Sequence, residues 1–484
     1  MLFNSFEFLI FFPVIVIAYF LLPHRFRWFH LLVASCLFYM AFIPVYILIL
    51  LATILIDYVA GILIEDATGS RRKMYLMLSL VANIGVLAVF KYYNFFIGNI
   101  NTVFHLLNSK YTLSFLGIIL PLGLSFHTFQ AMSYTIEVYR GNEKAERHFG
   151  IYALYVMFFP QLVAGPIERP QNILYQFREK HDFNYELATS GLRLMAWGLF
   201  KKVVIADRLA IFVNQIYDNP QHAQGLPLLV ATVFFAIQIY CDFSGYSDMA
   251  LGAARVMGFR LMTNFNRPYF ARTIAEFWKR WHISLSTWFR DYLYISVGGN
   301  RVSMPRRYYN LFIVFLVSGF WHGANWTFIV WGALHGMYQI IGIVTRDFRH
   351  QLSSFLPYRL DKGIDILITC ALVTFAWIFF RAGSIYDAWY IITHMLDSSH
   401  AVERGIDFYG VSAVKVFYTR LEWVYLILGV SALITIEALQ RRLDISKLLV
   451  QQPIILRWAS YFAIVMAIVF CGAFEKVQFI YFQF

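Results

Sequence analysis

Long apolar stretches follow one another from one end of the chain to the other. Hydrophobic residues make up 60% of the 484 residues and charged residues only 14%, whereas ordinary soluble domains carry about 25% charged residues. So little charge cannot cover the surface of a soluble protein of this length. The stretches lie near residues 7–22, 28–42, 44–64, 74–96, 115–137, 191–214, 227–241, 308–320, 326–343, 364–380, 421–439 and 455–473.

These stretches predict an all-α integral membrane protein, because a helix satisfies its own backbone hydrogen bonds in lipid. They extend over the whole chain, so we expect one polytopic domain over residues 1–484. Several are shorter than the roughly 20 residues of a straight span, and about 11 or 12 crossings are expected. Shorter stretches near 150–163 and 385–396 are candidates for re-entrant or interfacial helices. The first stretch has no basic region and no small-residue cleavage site, which indicates a retained span rather than a signal peptide.

The net charge of +12 would suggest a nucleic-acid partner in a soluble protein. Here the basic residues lie between apolar stretches, where cytoplasmic loops and anionic lipid headgroups account for them. We therefore expect membrane lipids as partners and no nucleic acid. The basic loops at 24–27 and 71–73 should be cytoplasmic, which puts both termini on the extracytoplasmic side. The aromatic run 478–484 would then be an anchor at the outer interface.

The segment 242–310 interrupts the apolar pattern with basic residues between aromatic ones. From residue 273 to residue 294 the pattern suits amphipathic helices that lie in the inner membrane interface. Pro268, Gly298, Gly299 and Pro305 are helix breakers. The basic residues of the segment are Arg255, Arg260, Arg267, Arg272, Lys279, Arg280, Arg290, Arg301, Arg306 and Arg307.

His322 is a titratable residue between two apolar stretches. Ionisable groups at membrane depth are costly and usually functional, and histidine exchanges protons near neutral pH. Gly319 and Gly323 allow a close approach of a backbone or ligand, and Asn325 is placed to cap the next helix. The alternative is a structural histidine whose nitrogens bond to neighbouring groups. Trp321, Trp326 and Trp331 would supply the walls of a cavity.

Two further histidines have weaker signals. His335 lies 13 residues after His322, so on a continuous helix it is displaced along the axis and is a poor direct partner; packing or a channel role is favoured. His282, within Trp278–Trp288, is either an interfacial histidine in an aromatic belt or a second site residue that binds a substrate carbonyl.

Two carboxylates, Asp242 and Asp248, lie six residues apart. They could hold a cation, but pairing with nearby arginines is the favoured reading. The four cysteines are far apart and lie in or beside apolar stretches, which indicates packing rather than a disulfide framework or zinc site. We expect no bound metal and no permanently bound cofactor.

Several ordered segments give the chain a resemblance to a known family. They are residues 159–167, 240–248, 264–269, 276–288, 290–295, 298–301 and 321–336, together with the aromatic C-terminal run. In order and spacing these segments resemble the membrane-bound O-acyltransferase superfamily, in its bacterial polysaccharide O-acetyltransferase branch. The motif core is thus residues 159–336.

The resemblance implies a helical bundle around a central tunnel, with the acyl donor entering from the cytoplasm. The principal active-site histidine of the family falls on His322, and a second family position, Asn or His, falls on His282. The acceptor, or an extracytoplasmic partner protein, would meet the acyl group from outside. These implications place the chain in a bacterial inner membrane.

The resemblance further implies acetyl transfer, with acetyl-CoA as donor, to hydroxyls of an exported polysaccharide. Arginine and lysine suit the phosphates of coenzyme A at a cytoplasmic mouth. A different class, a transporter of a glycan or lipid-linked sugar, would also explain many spans and interrupted helices, but not the ordered motifs. The expected donor-contacting residues are Arg267, Lys279, Arg280, Arg290, Trp321 and Asn325.

Overall fold

The computed structural model describes residues 1–163, 165–397, 420–443, 445–474 and 479–480. All regular secondary structure in these residues is helical, which confirms the all-α prediction. Of the aromatic C-terminal run, only Phe479 and Ile480 belong to the described residues.

In the first half of the chain, the described residues form ten α-helices and the beginning of an eleventh. They are α1 (Phe6–Leu21), α2 (His24–Met40), α3 (Ile47–Asp66), α4 (Gly69–Leu87), α5 (Tyr93–Leu106), α6 (Leu124–Arg140), α7 (Phe149–Met157), α8 (Pro170–Ile173), α9 (Tyr185–Leu199), α10 (Asp207–Tyr217) and α11 (Leu226–Val256). The π-helical segments Ala88–Tyr92 and Phe200–Ala206 connect α4 to α5 and α9 to α10. Single 3₁₀ turns occur at Pro44–Tyr46, Tyr175–Phe177 and Pro220–His222.

The second half begins with a 3₁₀ turn, Pro268–Phe270, which is followed by the short helices α12 and α13 and then by longer ones. The helices are α12 (Ile274–Arg280), α13 (Ile283–Trp288), α14 (Met304–His322), α15 (Trp326–Val344), α16 (Arg346–Ser353), α17 (Tyr358–Arg381), α18 (Ile385–His394), α19 (Arg420–Leu439), α20 (Ile445–Gln451) and α21 (Ile454–Cys471). A π-helical segment, Phe289–Tyr294, follows α13. The predicted helical character of residues 273–294 is confirmed, and its place at a membrane interface stays a prediction.

Seven helical segments of the described chain are long and apolar enough to cross a membrane: Pro44–Asp66, Gly69–Leu106, Leu226–Val256, Trp326–Val344, Tyr358–Arg381, Glu422–Leu439 and Ile454–Cys471. A multi-pass membrane protein is thereby confirmed. The number of helical segments that meet these criteria of length and composition is smaller than the 11 or 12 crossings expected. The reason is that other apolar stretches form short helices, such as α1 with 16 residues, or include charged turns, such as Arg306 and Arg307 in α14.

Two predicted stretches have wrong boundaries. The stretch 115–137 is not one helix, because α6 begins only at Leu124 and the preceding residues have no regular structure. Pro121 disfavours helix at the residue before it, and Gly123 has a φ of 74°. The stretch 227–241 is too short, because α11 continues for 31 residues and carries Asp242 and Asp248 on a helix.

The described chain divides into two compact units. The first consists of Met1–Met195 and Met249–Thr263, and the second of Ala196–Asp248 and Asn264–Phe484. The expected single domain over residues 1–484 stays a prediction. All eight predicted site residues belong to the second unit.

Within the second unit, α14 and α15 cross at two glycines. A Cβ atom on Gly319 would lie 2.3 Å from the carbonyl oxygen of Phe328, and one on Gly332 would lie 2.4 Å from that of Phe315. Any side chain at either position would push the helices apart. The close crossing brings the end of α14, where His322 lies, beside the first turns of α15.

Candidate active site

His322 is the last residue of α14 and is 5% exposed. Aromatic rings contact its imidazole, among them Trp321, Trp331 and Phe380, with centroid distances of 4.8, 5.1 and 5.4 Å. The cavity walls expected of Trp321 and Trp331 are thus next to the histidine, whereas Trp326 is 53% exposed. An imidazole enclosed in this way is shielded from bulk water, which favours proton exchange with a bound molecule over exchange with solvent.

The turn after His322 is held by Gly323 and Asn325. Gly323 is extended, and the ring of Phe328 fills the space where its Cβ would be, at 2.1 Å. Asn325 Oδ1 accepts a hydrogen bond from the Thr327 amide at 3.1 Å, which confirms the predicted N-cap. Its Nδ2 donates to the Gly383 carbonyl at 2.9 Å. Asn325 thus fixes the turn with both ends of its amide, and its contact with the donor stays a prediction.

Trp331 lies between two histidines of the second unit. Its ring centroid is 5.1 Å from His322 and 4.9 Å from His335. His335 lies one turn beyond Trp331 on α15, is fully buried, and its Nδ1 is 3.3 Å from the indole nitrogen of Trp278. The indole therefore contacts both imidazoles, and the expectation that they are poor direct partners stays a prediction.

His282 is fully buried at the N-terminus of α13. Its φ of 43° is left-handed, a conformation that is strained for a residue other than glycine and is often found at functional sites. Phe243 contacts the imidazole edge to face at 4.6 Å, and Phe265 stacks at 6.5 Å. Burial lowers the pKa of His282 to about 3, so the ring is neutral near pH 7. His282 is thus a buried neutral imidazole among aromatic rings, and its role as a second site residue stays a prediction.

A chain of aromatic contacts connects the surroundings of His282 with those of His322. Trp281, next to His282, is 5.1 Å from Trp377, and Trp377 is 5.1 Å from Phe380. Trp281, Trp377 and Phe380 are each 1% exposed. Each histidine thus has its own aromatic neighbours within one buried cluster.

The predicted donor-contacting cations differ in the ion pairs and hydrogen bonds that they already make within the protein. Arg280 Nη2 is 2.5 Å from Glu276, and Arg290 Nε is 2.7 Å from its neighbour Asp291. Lys279 is exposed. Arg267, at a φ of 48°, donates twice to Asn266 Oδ1, and its buried Nη1 has no hydrogen-bond partner in the described part of the chain. Arg267 therefore has the donor best placed for an anionic ligand.

The two acids of α11 are paired with lysines rather than arginines. Lys202 Nζ lies 2.7 Å from Asp242 and 2.7 Å from Asp207, with all three side chains 2% exposed. Lys201 Nζ lies 2.8 Å from Asp248 and 2.9 Å from Ser244 Oγ. The expectation of arginine partners was wrong because the lysines come some 40 residues earlier, within an apolar stretch. Two adjacent lysines in such a stretch were the available signal.

Two more polar contacts were not predicted. The Ile480 amide donates to Asp242 Oδ2 at 2.9 Å, so part of the C-terminal run reaches the carboxylate that pairs with Lys202. The hydroxyl of Tyr240 donates to Glu437, a buried carboxylate near the end of α19. A glutamate deep in an apolar stretch, as Glu437 is, marks such a site, but the sequence does not identify its partner.

The chain resembles several known proteins over most of its length. The profile described as MBOAT, membrane-bound O-acyltransferase family, matches residues 148–382. Identity is 40% over 394 residues with the probable alginate O-acetylase AlgI of Pseudomonas aeruginosa, covering 80% of this chain and 74% of that protein. It is 37% over 429 residues with the peptidoglycan O-acetyltransferase of Helicobacter pylori, covering 82% and 80%. It is 30% over 291 residues with the teichoic acid D-alanyltransferase of Streptococcus thermophilus, covering 56% and 70%.

Proposed function

Because the chain belongs to the membrane-bound O-acyltransferase family, and is therefore an acyltransferase, we propose that it acetylates an exported polysaccharide with His322 as the catalytic histidine. The observation that carries this proposal is the enclosed position of His322, 5% exposed among Trp321, Trp331 and Phe380. Such a site suits transfer of an activated acyl group, which must be kept from water.

The reaction requires removal of one proton. In the proposed step, His322 takes the proton of an acceptor hydroxyl as its oxygen attacks the thioester carbonyl of acetyl-CoA. The tetrahedral intermediate collapses to an ester, and the leaving thiolate takes the proton back from the imidazolium. The developing oxyanion needs a hydrogen-bond donor. A backbone amide near Gly323 or the neutral imidazole of His282 would serve, since a neutral imidazole carries one N–H.

The donor would enter from the cytoplasmic side. Arg267, Lys279, Arg280 and Arg290 suit the phosphates of coenzyme A, because guanidinium and ammonium groups bind phosphate oxygens strongly. The free Nη1 of Arg267 in the described structure supports a leading role for this residue. Trp321 would line the acyl end beside His322. Glu276 and Asp291, which hold Arg280 and Arg290, would have to share these cations with the phosphates.

The acceptor we propose is alginate. Relatives named for alginate acetylation support it, as with the Pseudomonas aeruginosa protein. The relative named for peptidoglycan acetylation, of similar identity, makes peptidoglycan the second candidate. The acetyl group would reach the polymer directly or through an extracytoplasmic partner protein. We propose on this basis that the chain lies in a bacterial inner membrane, with both termini outside.

One experiment separates the proposed enzyme from a transporter. The purified full-length protein is given acetyl-CoA with a radiolabelled acetyl group, with alginate or peptidoglycan fragments as acceptors. Label in polymer ester, lost in His322→Ala and kept in His105→Ala, an exposed histidine of α5, supports the proposal. Label in peptidoglycan alone would move the acceptor to the second candidate. Glycan transport in vesicles without thioester turnover would refute the proposed function.

A further inference from the structure

The hydrogen bond of His335 with Trp278 fixes its tautomer. The indole nitrogen of Trp278 is 3.3 Å from His335 Nδ1. An indole nitrogen only donates hydrogen bonds, so Nδ1 must be the acceptor and the neutral imidazole carries its proton on Nε2. His335 is fully buried, and this N–H is therefore a donor inside the second unit.

The surroundings of that N–H are aromatic. The rings of Trp331, Trp278 and Tyr338 lie 4.9, 5.0 and 5.7 Å from the imidazole centroid, with Phe315 at 6.2 Å. Among the residues that the structure describes, none accepts a hydrogen bond from His335 Nε2. Buried donors almost always have an acceptor, so a donor held in one tautomer without one points to a ligand.

The position of His335 along α15 indicates which ligand. On the proposed orientation α14 runs outward and α15 returns inward, so His335 lies on the cytoplasmic side of Trp331, roughly 6 Å further along the helix axis. A donor that comes from the cytoplasm with its thioester at His322 would extend its arm past His335. The pantetheine arm of coenzyme A carries amide groups behind the thioester, and their carbonyl oxygens are strong acceptors.

We propose that His335 Nε2–H binds an amide carbonyl of the pantetheine arm of the acyl donor. The inference rests on the proposed function, because it takes a coenzyme A thioester as donor. His335 would then be a binding residue that sets how far the thioester advances towards His322. Trp278 would act through His335, by holding the proton on the nitrogen that faces the donor.

The competing reading is a structural histidine that merely fills an aromatic cluster. The two readings differ in what a shape-preserving substitution does. His335→Phe keeps a planar ring and removes the donor, whereas His335→Gln keeps an N–H near the position of Nε2. A structural role predicts losses of stability that follow packing. A binding role predicts that donor affinity falls in the variant that lacks the N–H and is kept in the variant that retains one.

The test measures equilibrium binding of acetyl-CoA and of coenzyme A to the full-length protein in lipid nanodiscs. For His335→Phe we expect the Kd of both ligands to rise about tenfold, the effect of one lost hydrogen bond. His335→Gln should restore both to within about threefold of the wild type. The matched control is His127→Phe, at a histidine of α6 that is 3% exposed and belongs to the first unit. It should leave both affinities unchanged.

Each other outcome overturns the inference in a recognisable way. Wild-type affinity in a folded His335→Phe protein would refute it and leave the proposed function intact. Weaker binding of acetyl-CoA alone would place the contact on the acetyl carbonyl instead of the arm. No binding of coenzyme A by the wild type would refute the proposed donor itself. If His335→Phe does not fold, Trp278→Phe is tested instead, because without the indole N–H the proton of His335 can move to Nδ1. This variant should raise both Kd values about two- to fivefold, roughly half the free-energy effect of losing the hydrogen bond. Unchanged Kd values would refute the inference.

Discussion

The imidazole of His322 meets the indole of Trp331 almost at a right angle, with 5.1 Å between the ring centroids and 86° between the planes. Phe380 contacts both rings, at 5.4 Å from His322 and 5.2 Å from Trp331. Aromatic edges and faces attract in this geometry, so the three rings restrict the orientation of the imidazole. A general base must be held in one orientation to meet the proton it removes.

The first prediction concerns His322 itself. General-base catalysis typically contributes a factor of about 10²–10⁴ to the rate. We therefore expect His322→Ala to lower polymer acetylation in cells about 10²–10⁴-fold, while the protein still inserts into the membrane. Acetyl content of the polymer and the amount of protein in isolated membranes are both measured. Near-normal acetylation by a well-expressed variant would remove His322 from the mechanism.

The second prediction concerns the buried lysine. Lys202→Met leaves Asp207 and Asp242 without their cation, and removing one partner of a buried ion pair typically costs about 3–5 kcal/mol. Lys201→Met is the matched control, because its partner Asp248 is 23% exposed and water can still reach that carboxylate when the cation is removed, whereas Asp207 and Asp242 stay buried. We expect the melting temperature in detergent to fall clearly further for Lys202→Met. Equal losses would mean that the pairing of Lys202 with Asp207 and Asp242 contributes no more to stability than the pairing of Lys201 with Asp248.

The periodic and compositional features of the chain were predictable. Apolar stretches predicted a helical membrane protein, and Asn325 was recognised as a cap because capping depends on a residue and its immediate successors. The boundary near Leu124 was missed although Pro121 and Gly123 were visible. A hydropathy pattern does not distinguish extended apolar backbone from helix.

Tertiary partners were not predictable in the same way. Nothing local in the sequence pairs Lys202 with Asp242, Tyr240 with Glu437 or Trp278 with His335, since each pair joins separate helices. Helix geometry predicts that His335 is displaced from His322, but the contact of Trp331 with both rings follows only from the packing of α14 on α15. The charge of Arg280 was evident, whereas its pairing with Glu276 required the structure of α12.

The third prediction concerns pH. The pKa of His282 is about 3 in the folded protein, against an ordinary value of 6.5. Between these values the unfolded chain binds a proton that the folded protein does not, so stability falls as pH falls from about 6.5 towards about 3, by at most about 1.4 kcal/mol per pH unit. His282→Asn lacks this titration. The stability difference between wild type and variant should therefore shrink from pH 7 to pH 5, and a constant difference would contradict the buried neutral histidine.

The fourth prediction concerns topology. Ser70 and Ser303 are both exposed, and the basic residues near them should keep both in the cytoplasm. In a variant without the four native cysteines, Ser70→Cys and Ser303→Cys should resist a membrane-impermeant thiol reagent added to intact cells and react after permeabilisation. Ready labelling of either from outside would make the proposed orientation wrong.

The last prediction concerns the donor entrance. Arg267 has a buried Nη1 without a hydrogen-bond partner in the described residues, whereas the exposed Arg290 is bonded to Asp291 at 2.7 Å. If these cations hold coenzyme A, Arg267→Gln should weaken acetyl-CoA binding and make it less sensitive to salt, because a phosphate contact is lost. Arg280→Gln should act in the same direction but less strongly, since Glu276 already holds that guanidinium. Arg290→Gln should change donor affinity least of the three, because Asp291 already holds that exposed guanidinium. The alternative is that the basic residues hold only anionic lipid, at about 1 kcal/mol each. In that case donor affinity would be unchanged in all three variants while stability in detergent falls, and the donor entrance would lie elsewhere.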